Sequence, residues 1–84
     1  MICTYEIQVR AKCPVNPLDT DLYQFEIESE SLIEVEKIIK FFKENAGSKN
    51  VFQEALTQNC SVYLGARVKS VGYHSGVKVT CHSP

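Results

Sequence analysis

Residues 31–59, SLIEVEKIIKFFKENAGSKNVFQEALTQN, decide the fold, because two helical patterns follow one another here with a glycine between them. Val35, Ile38, Ile39, Phe42 and Ala46 recur at spacings of three and four and so share one helical face. Ser31 and Glu34 have the spacing of a capping box, in which each side chain satisfies an otherwise orphan amide. Gly47 is placed to end that helix in the left-handed conformation. Ser48 or Asn50 can then cap a second, shorter helix reaching about Asn59, with Val51, Phe52, Ala55 and Leu56 as its apolar stripe. Gln53 and Glu54 add nothing to that stripe. Either they are solvated positions, or one of them points into a site.

The flanks change period. Upstream, Cys3, Tyr5, Ile7, Val9 and Ala11 alternate with Thr4, Glu6, Gln8, Arg10 and Lys12, which reads as a strand buried on one face. The prolines of CPVNPLD, residues 13–19, interrupt it by fixing φ and removing donors. Tyr23, Phe25 and Ile27 then alternate with Gln24, Glu26 and Glu28. Downstream, Val62, Leu64, Ala66 and Val68 oppose Tyr63, Arg67 and Lys69, and a turn around Ser70–Val71–Gly72 leads to Val77, Val79 and Cys81. The order is ββααββ. It predicts a single α+β domain over residues 1–84, a four-stranded antiparallel sheet with two helices on its apolar face.

Composition is that of an ordinary globular protein, with 44% hydrophobic and 23% charged residues, and no apolar run approaches the ~20 residues of a membrane span. The opening MICTYEIQVRAK has neither a basic nor an apolar leader pattern, so a cytoplasmic protein with four reduced cysteines is expected. No CxxC or CxxH spacing occurs, and His74, His82 and Cys81 are too scattered to suggest a metal site. Charge is uneven: from Asp19 to Glu36 there are seven acids and no base. Five of the nine bases, Arg10, Lys12, Arg67, Lys69 and Lys78, fall on the sheet face opposite the helices. That face reads as solvated, as the lining of a tunnel between subunits, or as an RNA-binding surface. The net charge of −1 and the lack of an exposed aromatic cluster argue against nucleic acid. An isolated sheet also leaves two edges to protect, and closing several sheets into one barrel removes them while adding the buried area a short chain lacks. A homo-oligomer is therefore expected.

The ββααββ order, with both helices between strands two and three, resembles the unit of the tunnelling-fold (T-fold) enzymes. FQEALTQ, residues 52–58, is similar to the QE-x-L-T segment of GTP cyclohydrolase I, and FQE resembles the FHE of 7-cyano-7-deazaguanine reductase. CPVNPLDTDLYQFEI, residues 13–27, resembles the reductase's CP-x-T-G-Q-P-D segment, and ESESLIEVEKII its E-S-K-S-L-K region. The resemblance implies that Glu54 anchors a purine-, deazapurine- or pterin-like ring, with Gln53 beside it in the place of the reductase's histidine. It also implies that Cys13 is the nucleophile that attacks a nitrile, with Asp19 or Asp21 moving the proton. A carboxylate suits such a ring, because its two oxygens match the parallel N–H donors of a guanine or pterin edge. The resemblance stops at the cofactor: Glu30 and Glu34 stand where the reductase carries lysines, and acids there repel the phosphates of NADPH. The cofactor is left open. The competing expectation is a non-enzymatic interaction protein whose acidic stretch, Asp19 to Glu36, engages a basic protein.

Overall fold

The computed structural model describes residues 1–16 and 20–84. Strands β1 (Cys3–Lys12) and β2 (Thr20–Ser29) come first, then helices α1 (Val35–Asn45) and α2 (Gln53–Leu64), then strands β3 (Arg67–His74) and β4 (Val77–His82). The strands form one antiparallel sheet in the order β1-β2-β3-β4. The expected ββααββ architecture is present, and within one chain the sheet is open, with β1 and β4 at its edges. Among the described residues no helix is long and apolar enough to cross a membrane.

The period-two pattern sets which side chains meet. Successive rows on the helix side are Tyr5, Ile27 and Val68; then Ile7, Phe25, Ser70 and Cys81; then Val9, Tyr23, Gly72 and Val79. Ile38, Phe41 and Phe42 of α1 and Leu56, Cys60 and Leu64 of α2 cover them. Phe25 meets Phe42 edge-on at 4.8 Å between centroids, and Phe41 reaches Tyr63 of α2 at 5.3 Å, so one aromatic series joins sheet and both helices.

Several local expectations are corrected. The capping box of Ser31 and Glu34 does not form: α1 starts at Val35, and its cap residue Glu34 makes no side-chain capping bond. Ser29 instead uses its hydroxyl on the backbone of Ser31, and the Ile33 amide bonds the Tyr5 hydroxyl at 3.0 Å, which holds this stretch out of the helix. Val35 and Ile39 are exposed, and Phe41 takes the buried position in their stead. Neither Ser48 nor Asn50 caps α2, whose cap residue is Phe52; of the supposed stripe only Leu56 is fully buried. The helix also runs past Asn59 to Leu64, so Val62 and Tyr63 are exposed helical residues, not strand. Leu56, Cys60 and Leu64 form the row that carries it on, and Gly65 ends it at φ 63°. Finally, residues 70–72 lie within β3, and the hairpin turns at Ser75–Gly76. Both turn residues have positive φ, 51° and 83°, as the type I′ turn of a two-residue hairpin requires.

α1 ends before Gly47, at Asn45, with the cap residue Ala46 already extended; Gly47 follows at φ 71°, and its amide bonds the Arg10 carbonyl of β1. Lys12 then donates to the Lys49 carbonyl at 3.1 Å and accepts from the Val51 amide at 3.3 Å. The connection between the helices therefore covers the far end of the β1 edge. On the opposite sheet face Glu26 stands across from Lys69, and Glu28 lies 3.8 Å from Arg67 in an exposed pair of small energetic weight. The acidic stretch is thus divided: Glu26 and Glu28 are matched by bases on the outer face, while Asp21 points to the helix side.

Gly72 is fixed by its neighbour across the sheet, since a Cβ there would run into the Tyr23 ring. Gly72→Ala should lower unfolding stability by about 2 kcal/mol through overpacking, measurable by denaturant titration. Stability should also fall in alkali. Burial pushes the Cys60 thiol up from its ordinary 9.0 to about 12, and burial together with the Asp21 carboxylate raises the Tyr23 phenol further still. Both groups ionise first in the unfolded chain. The Cys60 contribution is therefore whole below pH 9 and declines towards pH 12, with Tyr23 acting in the same direction, which unfolding midpoints across that window would register.

Candidate functional site

A cavity of about 150 Å³ opens where the segment after β1, the start of β2, the start of α2 and the end of β3 converge. Cys13, Asp21, Tyr23, Gln53, Glu54 and His74 line it. Four of the five residues singled out in the sequence thus reach one place from three separate segments. The fifth, Asp19, lies outside the described residues.

Gln53 organises the site. Its side chain is 1% exposed, and its amide nitrogen donates towards the Ser70 carbonyl at 3.3 Å, the Ser70 hydroxyl at 3.1 Å and the Val79 carbonyl at 3.1 Å. Two of these partners are carbonyls that only accept, so the orientation of the amide is settled: the nitrogen faces the sheet and Oε1 faces His74 Nε2 at 2.9 Å. The Thr57 hydroxyl donates to the Gln53 carbonyl at 2.7 Å, which leaves the Ser70 hydroxyl to donate to Thr57 Oγ1 at 2.6 Å. Gln53 therefore spends its side chain on protein partners and stands behind the cavity rather than reaching into it.

Asp21 and Tyr23 occupy alternate positions of β2 on the same face. The Tyr23 hydroxyl donates to Asp21 Oδ2 at 3.1 Å, and His74 Nδ1 lies 3.5 Å from the same oxygen, an ion-pair separation. Glu54, the second residue of α2, is exposed at the rim and makes no hydrogen bond or ion pair with the described residues. A free carboxylate in the first turn of a helix is well placed to receive donors from a ligand. Cys13 is half-buried and directly follows β1. Cys81, half-buried on β4, has its thiol pushed up by burial and then by Glu54, which makes it a poor nucleophile.

Sequence reasoning missed His74 and Tyr23. His74 was weighed only as a metal ligand, and the described residues hold no group of three or more side chains suited to a metal ion. Its proximity to Asp21 follows from the pairing of Tyr23 with Gly72 and a two-residue turn, which the misplaced turn concealed. A larger open groove of about 520 Å³ lies at the opposite end of the sheet, beside Ser29, Ser31, Ser61, Gly65 and Ala66. Glu28, Glu30 and Arg67 also line it, and the Ser29 and Ser61 hydroxyls there are spent on the carbonyls of Ser31 and Ala66.

An antiparallel four-stranded sheet with both helices inserted between β2 and β3 and packed on one face defines a T-fold unit, and this chain has that fold. The solved structure described as the archaeosine synthase QueF-Like in the apo form matches it with a TM-score of 0.74 at 17% sequence identity, over 98% of this chain and 92% of that one. No family model matches the chain, and no curated protein does.

The buried amide can be tested without a ligand. Gln53→Leu removes the bonds from α2 to the Ser70 hydroxyl and the Ser70 and Val79 carbonyls and leaves His74 Nε2 without its partner, and should cost roughly 1–3 kcal/mol of stability in denaturant unfolding.

Proposed function

We propose that this chain is the single-domain subunit of a homo-oligomeric T-fold protein that binds a purine-, deazapurine- or pterin-like heterocycle at a subunit interface. Glu54 takes the ring's N–H edge, and Cys13 is the nucleophile towards a nitrile such as that of 7-cyano-7-deazaguanine. The convergence of Cys13, Asp21 and Glu54 on one cavity is the observation that carries this reading. The fold shared with the archaeosine synthase QueF-Like structure supports it.

The size of the cavity favours an interface. About 150 Å³ is the volume in which a single aromatic ring is held in an engineered core cavity, so a fused two-ring heterocycle must project through the mouth. A second subunit would complete its enclosure. In the addition step the Cys13 thiol gives up its proton, sulfur bonds the nitrile carbon, and the nitrile nitrogen takes a proton to give a thioimide. Asp21, which lines the same cavity, and Asp19 are the candidates for the proton carrier. Reduction beyond the thioimide would need a hydride donor. Glu30 and Glu34, both exposed and acidic, do not fit the phosphates of NADPH, so no reductive step is assigned. A reduced cytoplasmic setting suits a free Cys13.

Incubation with 7-cyano-7-deazaguanine followed by native mass spectrometry tests the reading. The expected result is a symmetric oligomer carrying one adduct per chain, lost in Cys13→Ala while non-covalent binding persists. Glu54→Gln should weaken binding about tenfold or more, as expected for losing a charge-assisted pair. A bare monomer with no adduct would overturn the proposal.

A further inference from the structure

We infer that His74 and Asp21 form one proton-holding pair in the wall of the cavity, in which Gln53 fixes the histidine tautomer and His74 acts on the site through Asp21. The argument starts from Gln53, whose amide cannot be reversed without setting its oxygen against the Ser70 and Val79 carbonyls. Oε1 is therefore an acceptor, and the 2.9 Å contact is a hydrogen bond donated by His74 Nε2–H. That proton is committed. The exchangeable position is Nδ1, which faces Asp21 Oδ2 at 3.5 Å. A bare Nδ1 would turn its lone pair on the carboxylate, whereas a proton there makes an attractive pair.

The surroundings agree. On β2 the pair meets Asp21 and Tyr23, whose hydroxyl donates to the same Oδ2. Glu54 on α2 and Cys13 after β1 share the cavity, and β4 sets Val77 opposite His74. His74 is thus the one basic side chain among the residues lining this cavity, beside the two carboxylates of Asp21 and Glu54, the Tyr23 phenol and the Cys13 thiol. Its side chain is 35% exposed, against 15% for Asp21, so protons can enter and leave.

For its use, though not for its existence, the pair rests on the reading of this cavity as a nitrile-addition site. There the Cys13 S–H bond breaks and its proton passes to Asp21. The S–C bond forms as one π bond of the nitrile breaks, and the same proton then goes to nitrogen. The pair ends as it began, and no oxidant or reductant is consumed. His74 is a positioning residue in this scheme: it holds Asp21 in place and balances its charge beside the departing thiol proton.

Nitrogen-detected imidazole NMR on the free protein tests the pair, with exposed His82 as the internal reference. The expected result is that His74 keeps its Nε2 proton at every pH and loses only the Nδ1 proton, and that Asp21→Asn moves its titration to lower pH. A neutral His74 protonated on Nδ1, or a mixture of tautomers like that of His82, would overturn the inference. The second readout is the pH profile of Cys13 alkylation by iodoacetamide, read by peptide mass. In His74→Asn, which keeps a donor for Gln53 but carries no charge, the profile should move to higher pH by about one unit, a roughly tenfold slower reaction near neutrality. An unchanged profile overturns the inference. Neither readout uses a nitrile, so failure of the nitrile adduct and failure of the pair are separate results.

Discussion

The amide of Gln53 is the constraint on which this end of the molecule depends. A primary amide buried against two strand carbonyls must use its N–H groups there, because a buried donor left unmet costs on the order of 1–3 kcal/mol. With three acceptors from β3 and β4 around one nitrogen, the first turn of α2 is locked to the sheet in position and in rotation. The consequence falls on the next residue. Since successive helical residues are turned by about 100°, fixing Gln53 inward sets Glu54 outward and across the mouth of the cavity. The Gln–Glu pair is one device: the first residue is the anchor and the second is what the anchor presents.

A second constraint works from the sheet. Tyr23 covers Gly72, and any side chain at residue 72 would displace the ring. The ring in its place brings the hydroxyl to Asp21 and lies 5.8 Å from the His74 ring, so strand pairing and acid placement are set by the same contact. Glycine in the middle of a strand is usually a weakness, because it gives up packing and chain entropy. Here the aromatic neighbour recovers the packing and gains a defined orientation.

Much of this was legible in the sequence, and the exceptions have physical reasons. The long alternations of β1 and β2 fixed their faces without help, because ten residues of period two leave no competing register. The end of α2 was misread because Val62, Tyr63 and Leu64 offer β-favouring side chains in an alternating run, while the row Leu56, Cys60, Leu64 and the terminal Gly65 signal helix in the same stretch. Tertiary burial of Cys60 and Leu64 decides for the helix. The Ser75–Gly76 turn carried a recognisable dipeptide signal, yet Gly72 drew the turn towards itself, since a strand glycine and a turn glycine look alike until the partner ring is known. Of the residues lining the cavity, Cys13, Asp21, Gln53 and Glu54 were singled out through resemblance. His74 was not, because it matters only as the cross-strand neighbour of Asp21, and that neighbour relation exists only once the register is set.

The same geometry says why the proposed site belongs at a boundary between subunits. Val15 and Phe52 line the cavity yet are 81% and 53% exposed, so an apolar rim surrounds a polar floor. A single chain gains nothing from exposing a phenylalanine beside a free glutamate, and water at such a mouth would weaken any bond that Glu54 makes to a ring. Covering the rim with a neighbouring subunit buries Val15 and Phe52, lowers the local dielectric around Glu54, and leaves the carboxylate in want of donors. The paired N–H groups of the proposed heterocycle would satisfy that want. In the proposed assembly, ligand recognition and subunit contact would be linked through one surface, and the contact that completes the site would also add stability.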